Sequence, residues 1–371
     1  MLLGVSVAKA ACQSLLRPEF TNLELQGVTG ELAILLRRPA ETLARQALAL
    51  ERSIGEMAVR IDAGRTSAQR RPERAQALAH VRQALEVNVK WLIQLRDLVL
   101  PILSPKALLA AGSQPERRVS SYPAERLFTL LRRDWSGACE CENEVQSLLQ
   151  ALRSTMPASM GRRSTRILML GAGLGRLADE LAGEYSEVHS IELSLPLALT
   201  AALLRQSSIA AYDVRTRHAR NVDDQAKAFV ATRPHRLSAA TSRITVADAT
   251  DLPFVNGFAD VVISAYFTDV VPPRKLLSEV RRVLRPGGRF IHLGPLGYHF
   301  DDTDDHLSAE ELLTEVAAHG FVVSAPRWVT TTHECEARSI HECRFHNLLF
   351  SADAIWGPVF MPYELPRPPF I

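Results

Sequence analysis

The sequence predicts an α/β protein, a doubly wound and largely parallel sheet preceded by an α-helical region. Three observations carry this. Beyond Pro157, short apolar runs alternate with helical patterns. One of those runs, Arg166-Ile-Leu-Met-Leu170, passes through Gly171-Ala-Gly-Leu-Gly175 straight into a helical pattern. Before residue 155 there is little strand signal, and several stretches repeat apolar residues at three- and four-residue intervals.

The elements follow in order. Helical spacing covers 23–37, 40–61 and 72–99, the last through Val81, Leu85, Val89, Leu92, Leu95 and Val99. Residues 1–16 are mildly apolar around a lone Lys9 and read as a frayed helix, with a signal peptide as the alternative. Residues 101–105 break the helical block and 117–122 form a linker. A helix at 124–133 follows, and Asp134-Trp-Ser136 is placed to cap another at 140–153. Strands are expected at 166–171, 188–193, 243–247, 260–267 and 288–294, with helices near 175–184, 196–206, 274–285 and 308–319. Residues 207–241 exceed a simple connection and predict an inserted helix or lid. Two more strands, at 321–328 and 346–353, would close the sheet as an antiparallel pair. The organisation is therefore a helical region at 1–155 packing on a fold at 156–356, and a proline-rich tail at 357–371.

Composition narrows the function classes. A net charge of +2 argues against nucleic acid or an anionic membrane as partner, and no apolar run approaches the ~20 residues of a membrane span. Five lysines against thirty-eight arginines read as coding bias. Five scattered cysteines, an odd number, fit a reducing cytoplasm better than a disulfide framework. The repeated tripeptides His333-Glu-Cys335 and His341-Glu-Cys343 could present two imidazoles and two thiolates to a metal. Chance repetition around a hairpin is the favoured reading, so no metal is expected.

The chemistry gathers at the carboxyl ends of the strands, where open α/β sheets bind ligands. Gly171, Gly173 and Gly175 allow a tight turn and close backbone approach to a nucleotide-like ligand. Glu192, ending the second strand, is placed to accept from ribose hydroxyls. The glycines lack the G-x-G-x-x-G spacing that cradles a pyrophosphate, which points to S-adenosyl-L-methionine, a ribose and adenine without phosphate. Asp248 ends the third strand toward the adenine amino group, and Ala249 offers a backbone amide. Ser264, Tyr266, Phe267 and Asp269 point the end of the fourth strand into the cleft. Arg285-Pro-Gly-Gly288 turns from helix to strand, and Ile291-His-Leu-Gly-Pro-Leu-Gly-Tyr-His-Phe300 brings Tyr298 and His299 to the same edge.

This order of glycine loop, acidic second strand, Asp248, fourth strand and Leu-Arg-Pro-Gly-Gly turn resembles the class I S-adenosylmethionine-dependent methyltransferases. Three segments resemble the carnosine N-methyltransferase (N2227-like) family: Arg133-Asp-Trp-Ser136, Gly171-Ala-Gly-Leu-Gly-Arg-Leu177 and Leu293-Gly-Pro-Leu-Gly-Tyr-His-Phe300. The resemblance spans roughly 75–350. It implies a seven-stranded Rossmann-like methyltransferase sheet, an N-terminal region contributing Arg133 to the cofactor's methionine carboxylate, and an acceptor imidazole bound by Asp269 and His299. The chain departs from the family after the fourth strand, with Tyr266-Phe-Thr-Asp-Val270 where Phe-Phe-Ile-Asp-Thr is usual and Pro272-Pro273 in place of a more polar continuation. The family's C-terminal substrate tyrosine has only Tyr363, in the tail, as counterpart; His346 is the polar aromatic candidate inside the fold.

The resulting expectation is N-methylation of a small imidazole- or amine-containing molecule or peptide. Asp269 would fix an imidazole tautomer or accept an amine proton, with His299 as second orienting partner and no metal needed. An O- or C-methyltransferase and a non-catalytic binding scaffold are the alternatives, and a homodimer stands open beside a monomer.

Overall fold

Residues 167–170 alternate between two hydrophobic cores, Ile167 and Met169 into one and Leu168 and Leu170 into the other. Burial on both faces makes a continuous apolar run the right sequence for a central parallel strand. In the computed structural model of the protein, residues 20–24, 33–37, 39–103, 105–106, 109, 124–157, 164–237, 242–334 and 336–355 are described. The N-terminal part comprises β1 (Phe20–Glu24), β2 (Ala33–Arg37), α1 (Pro39–Arg70), α2 (Ala75–Val99), α3 (Ala124–Trp135) and α4 (Cys139–Arg153). Then follow β3 (Arg166–Leu170), α5 (Arg176–Ala182), β4 (Glu187–Glu192), α6 (Leu195–Leu203), β5 (Ile209–Val214), β6 (Ala226–Ala231) and β7 (Arg243–Val246). The chain continues through β8 (Ala259–Ala265), α7 (Pro273–Val283), β9 (Leu284–Gly294), α8 (Ala309–Ala318), β10 (Phe321–Val323), β11 (Arg327–His333) and β12 (Cys343–Ala354).

The sheet order is β1-β2-β7-β4-β3-β8-β9-β12-β10, with β11 paired to β12. The seven strands from β7 to β10 are the expected doubly wound sheet. β7, β4, β3, β8 and β9 run parallel, and β12 enters antiparallel between β9 and β10. The Arg285-Pro-Gly-Gly288 segment belongs to β9 itself rather than to a turn, and the β8–β9 register shifts beside it. A Cβ at Gly288 would come within 2.8 Å of the Arg285 carbonyl oxygen, so only glycine lets the strand fold back there.

Four expectations are corrected. Residues 23–37 contribute strands β1 and β2 rather than a helix, and β2 lies parallel to β7 through Leu36 and Val246. A short apolar run such as 33–37 carries no decisive period, and pairing with β1 and the β7 edge settles it. Residues 207–241 hold no α-helix in their described part, only two short 3-10 turns and a hairpin. β5 and β6 form an antiparallel hairpin whose Ile209, Ala211 and Ala231 join the core of α1, α2 and α3. The 321–328 strand is two, because Pro326 and its neighbours separate β10 from β11. At α4 the N-cap is Ala138; Ser136 Oγ instead accepts its backbone N–H at 3.2 Å. The frayed helix at 1–16, the linker at 117–122 and the tail at 357–371 lie outside the described residues.

The helical region is bolted on by amide side chains. Asn88 on α2 accepts from the Tyr212 N–H (2.9 Å) and donates to the Tyr212 carbonyl (2.8 Å). Gln46 on α1 treats the turn after β4 alike, donating to Leu193 O and accepting from the Leu195 N–H, both at 2.6 Å. Each amide satisfies one buried donor and one buried acceptor at once. Among the described residues, no helix is long and apolar enough to cross a membrane.

Candidate active site

The turn after β3 is built on left-handed glycines, with φ of +57° at Gly171, +58° at Gly173 and +77° at Gly175. A Cβ at Gly171 would overlap the Phe267 ring, so this glycine is required by space as well as by φ. Glu192, ending β4, ties the turn down. Its Oε2 accepts the Gly173 N–H and its Oε1 the Ser194 N–H, both at 2.8 Å. Burial pushes the Glu192 carboxyl up to about 7 despite these backbone donors. Asp248, at the end of β7, is exposed at the same sheet edge, where its Oδ1 accepts from the Thr250 N–H (2.8 Å) and hydroxyl (2.7 Å). Ala249 beside it is buried.

Arg133 belongs to a segment stapled to this turn. The Trp135 indole N–H donates to Leu174 O at 3.1 Å, and buried Arg176 donates to Asp134 O while forking onto Glu142 at 2.9 and 2.8 Å. Arg133 Nε lies 2.7 Å from Asp134 Oδ1. Burial opposes the Arg133 charge, but Asp134, Glu144 and Glu334 outweigh it and raise its pKa.

Beyond β8, Asp269 is buried two residues after Phe267. Its Oδ2 accepts the Gly297 N–H at 2.9 Å, and its main-chain oxygen accepts the His299 N–H at 2.8 Å. Asp269 and His299, 30 positions apart in sequence, are thus brought together. Burial raises the Asp269 pKa, against the Gly297 bond and the His299 charge. His299 itself is exposed.

The carnosine N-methyltransferase family profile matches residues 116–354, more than half of the chain. The chain belongs to the carnosine N-methyltransferase family. It is 25% identical over 253 residues to carnosine N-methyltransferase of Rattus norvegicus, covering 62% of this chain and 63% of that protein. To the Schizosaccharomyces pombe enzyme of the same name it is 27% identical over 248 residues, covering 58% and 66%. The chain thus spans just under two thirds of the length of these relatives. Among solved structures it is similar to an S-adenosylmethionine-dependent methyltransferase from Methanosarcina mazei (TM-score 0.38, 15% identity, 55% of this chain and 100% of that one). It is also similar to the CurJ carbon methyltransferase (TM-score 0.39, 15% identity, 80% and 71%).

Other expected site residues of this carnosine N-methyltransferase family member fall differently. Ser264 does not face the cleft: it is fully buried, 2.7 Å from Thr268 Oγ1, which in turn lies 2.8 Å from His292 Nδ1. Tyr266 takes φ +56°, and this break in alternation explains why its side chain and that of Ser264 part company. Tyr298 turns its hydroxyl away to Leu307 O at 2.6 Å, and burial pushes its pKa up to about 12. His346 is exposed and bonded to Thr330 Oγ1 (2.9 Å). Its neighbours Phe345 and Asn347, on the other face of β12, are the ones that reach the Tyr266 side.

Sequence reasoning missed a cluster under Tyr266. The hydroxyl of Tyr266 lies 2.7 Å from Thr331 Oγ1, which accepts from Asn347 Nδ2 at 2.8 Å. Its ring stacks on His333 at 5.1 Å, and His333 Nδ1 meets buried Glu144 at 3.1 Å. His333 had drawn notice only through the repeated tripeptide; nothing marks Glu144 among the polar residues of α4. Among the described residues, no group of His, Cys, Asp and Glu could hold a metal. His341 stacks on His218 at 4.8 Å, Cys343 pairs opposite His333 in the β11–β12 hairpin, and Cys335 lies outside the described residues.

Proposed function

We propose that the chain is an S-adenosylmethionine-dependent N-methyltransferase acting on a small imidazole- or amine-containing molecule or peptide of carnosine-like chemistry. The observation that supports this reading is the contact of Phe267 with Gly171, because the buried Asp269 follows two residues after the ring that packs on the glycine turn. The residues of the turn suit the donor. Gly171, Gly173 and Gly175 leave its backbone open to close approach, Glu192 offers carboxylate oxygens to ribose hydroxyls, and Asp248 with Ala249 stands at the adenine end. Arg133 supplies a cation for the methionine carboxylate. When bound, S-adenosylmethionine supplies an electrophilic methyl group on a sulfonium.

The chain's own task is orientation and proton handling. Asp269 accepts the N–H of the acceptor, fixes its tautomer so that the opposite lone pair is free, and holds the proton that the nucleophile gives up. Its raised pKa suits the second duty. His299, at the exposed rim, orients the acceptor from the solvent side. Holding the two reactants together in this way lowers a bimolecular barrier by roughly 7–11 kcal/mol.

Incubation with labelled S-adenosylmethionine and a panel of carnosine, histidine, small peptides and amines should identify the acceptor. Asp269→Asn should then lose roughly 10²-fold or more of turnover while cofactor affinity stays within about threefold. Normal turnover by that variant on the accepted substrate would overturn the assignment.

A further inference from the structure

Two non-glycine residues near the turn hold left-handed backbone, Tyr266 at φ +56° and Glu334 at φ +49°. Such conformations persist only where the surroundings over-determine them, and they gather at working sites. One imidazole links the two. His333 stacks on Tyr266 with ring planes 12° apart and packs its other neighbour, Phe345, at 5.0 Å. Its Nδ1 is 3.1 Å from Glu144 Oε1 and its Nε2 is 3.4 Å from Glu334 Oε1. Glu144, fully buried on α4, uses its second oxygen to accept the Glu334 N–H at 2.8 Å. A buried helix carboxylate thus grips both residues of one peptide unit, and Arg126 pairs with Glu334 from α3.

Resting on the reading above, we propose that His333, bracketed by Glu144 and Glu334, is a positioning residue that sets Tyr266 and Arg133 at the methionine end of the donor site. Only the imidazolium puts a positive charge between the two carboxylates, hydrogen-bonded to Glu144 and ion-paired with Glu334; losing a proton removes that charge and loosens the bracket. The charged and titratable groups facing the ring are Glu144 from α4, Arg133 and Arg126 from α3, Tyr266 after β8, Cys343 across the hairpin and Glu334 on its own loop. Burial lowers the His333 pKa, but the bonds to Glu144 and Glu334 outweigh it and raise it above 6.5, against the Arg133 charge. The bracket therefore holds to higher pH than it would around a free imidazole, and it opens as pH rises further.

The test is S-adenosylmethionine affinity by calorimetry from pH 6 to 9.5, alongside the His333 ring resonances of the ¹³C-histidine-labelled chain. The wild-type chain should lose affinity about tenfold on an alkaline limb whose midpoint matches the His333 titration, the change a one-unit coupling implies. Glu144→Gln should move both midpoints to lower pH together, and His333→Gln should abolish the limb. A merely structural role would lower the melting temperature of the variants without moving the midpoint. An alkaline profile unchanged in a cooperatively melting Glu144→Gln or His333→Gln chain overturns the proposal, and Glu144→Gln decides it alone if His333→Gln does not fold. A wild-type chain that binds no S-adenosylmethionine at any pH overturns the donor reading instead, and this inference with it.

Discussion

The Phe267 ring fills the space where a side chain at Gly171 would begin. The contact joins the turn after β3 to the end of β8, so a displacement of one is felt by the other. Three predictions follow from this and from the buried groups around it.

Gly171→Ala combines a left-handed φ with a clash against Phe267. The two together should cost about 2–4 kcal/mol of stability. Because relief requires Phe267 to swing, S-adenosylmethionine affinity should fall as well. Thermal melting and calorimetry on the same variant check both. A variant with unchanged melting temperature would show that the ring yields freely.

Glu192 gives an acid-side dependence. Its carboxyl is raised from 4.5 to about 7 by burial, so in the donor-free chain its stabilising contribution is fully present below pH 4.5 and is lost as pH rises through 7. The ionised form is the better acceptor for ribose hydroxyls, so donor affinity should tighten as pH rises through about 7. Glu192→Gln should flatten that acid limb and weaken binding roughly tenfold, the worth of a hydrogen bond to a charged group. Calorimetric affinities between pH 5.5 and 8 would reveal a persisting limb, which would put the titrating group elsewhere.

His292 predicts acid lability. Burial lowers its pKa from 6.5 to about 4, and its Nε2 has no hydrogen-bond partner. A depressed histidine contributes stability that is present above pH 6.5 and is lost as pH falls through 4. The loss should amount to about 3 kcal/mol over that window. Denaturant unfolding of the wild type and His292→Gln at pH 7 and 4.5 should show a smaller pH drop in the variant; equal drops would refute it.

The parallel strands were legible because burial on both faces writes them as unbroken apolar runs bounded by glycine and polar residues. Glu192 and Asp269 stand out in the sequence because a polar residue closing an apolar strand run falls at the carboxyl edge of such a sheet. What escaped had non-local causes. β2 is five residues long, pairs along its length with β1 and joins the main sheet at Leu36 opposite Val246 of β7. β5 alternates through alanines, which give little contrast between its faces. Ser264 was placed by assuming a strict alternation that Tyr266 breaks, and His346 was chosen by residue type while strand parity favoured its neighbours. The His333–Glu144 pair joins a hairpin to a helix 189 positions away, a distance no spacing rule reaches.

The amide bolts of Gln46 and Asn88 bear on how the chain comes to be folded during its synthesis. Their backbone partners lie 147 and 124 positions later, and β2 awaits an edge strand about 200 residues downstream. At ribosomal speeds of about 5–20 residues per second, α1 and α2 wait roughly ten seconds for the turn after β4 and the β5–β6 hairpin that complete their shared core. Helices α1 and α2 are made well before the segments that anchor them. That interval is when the nascent chain is most exposed to aggregation and most dependent on a chaperone.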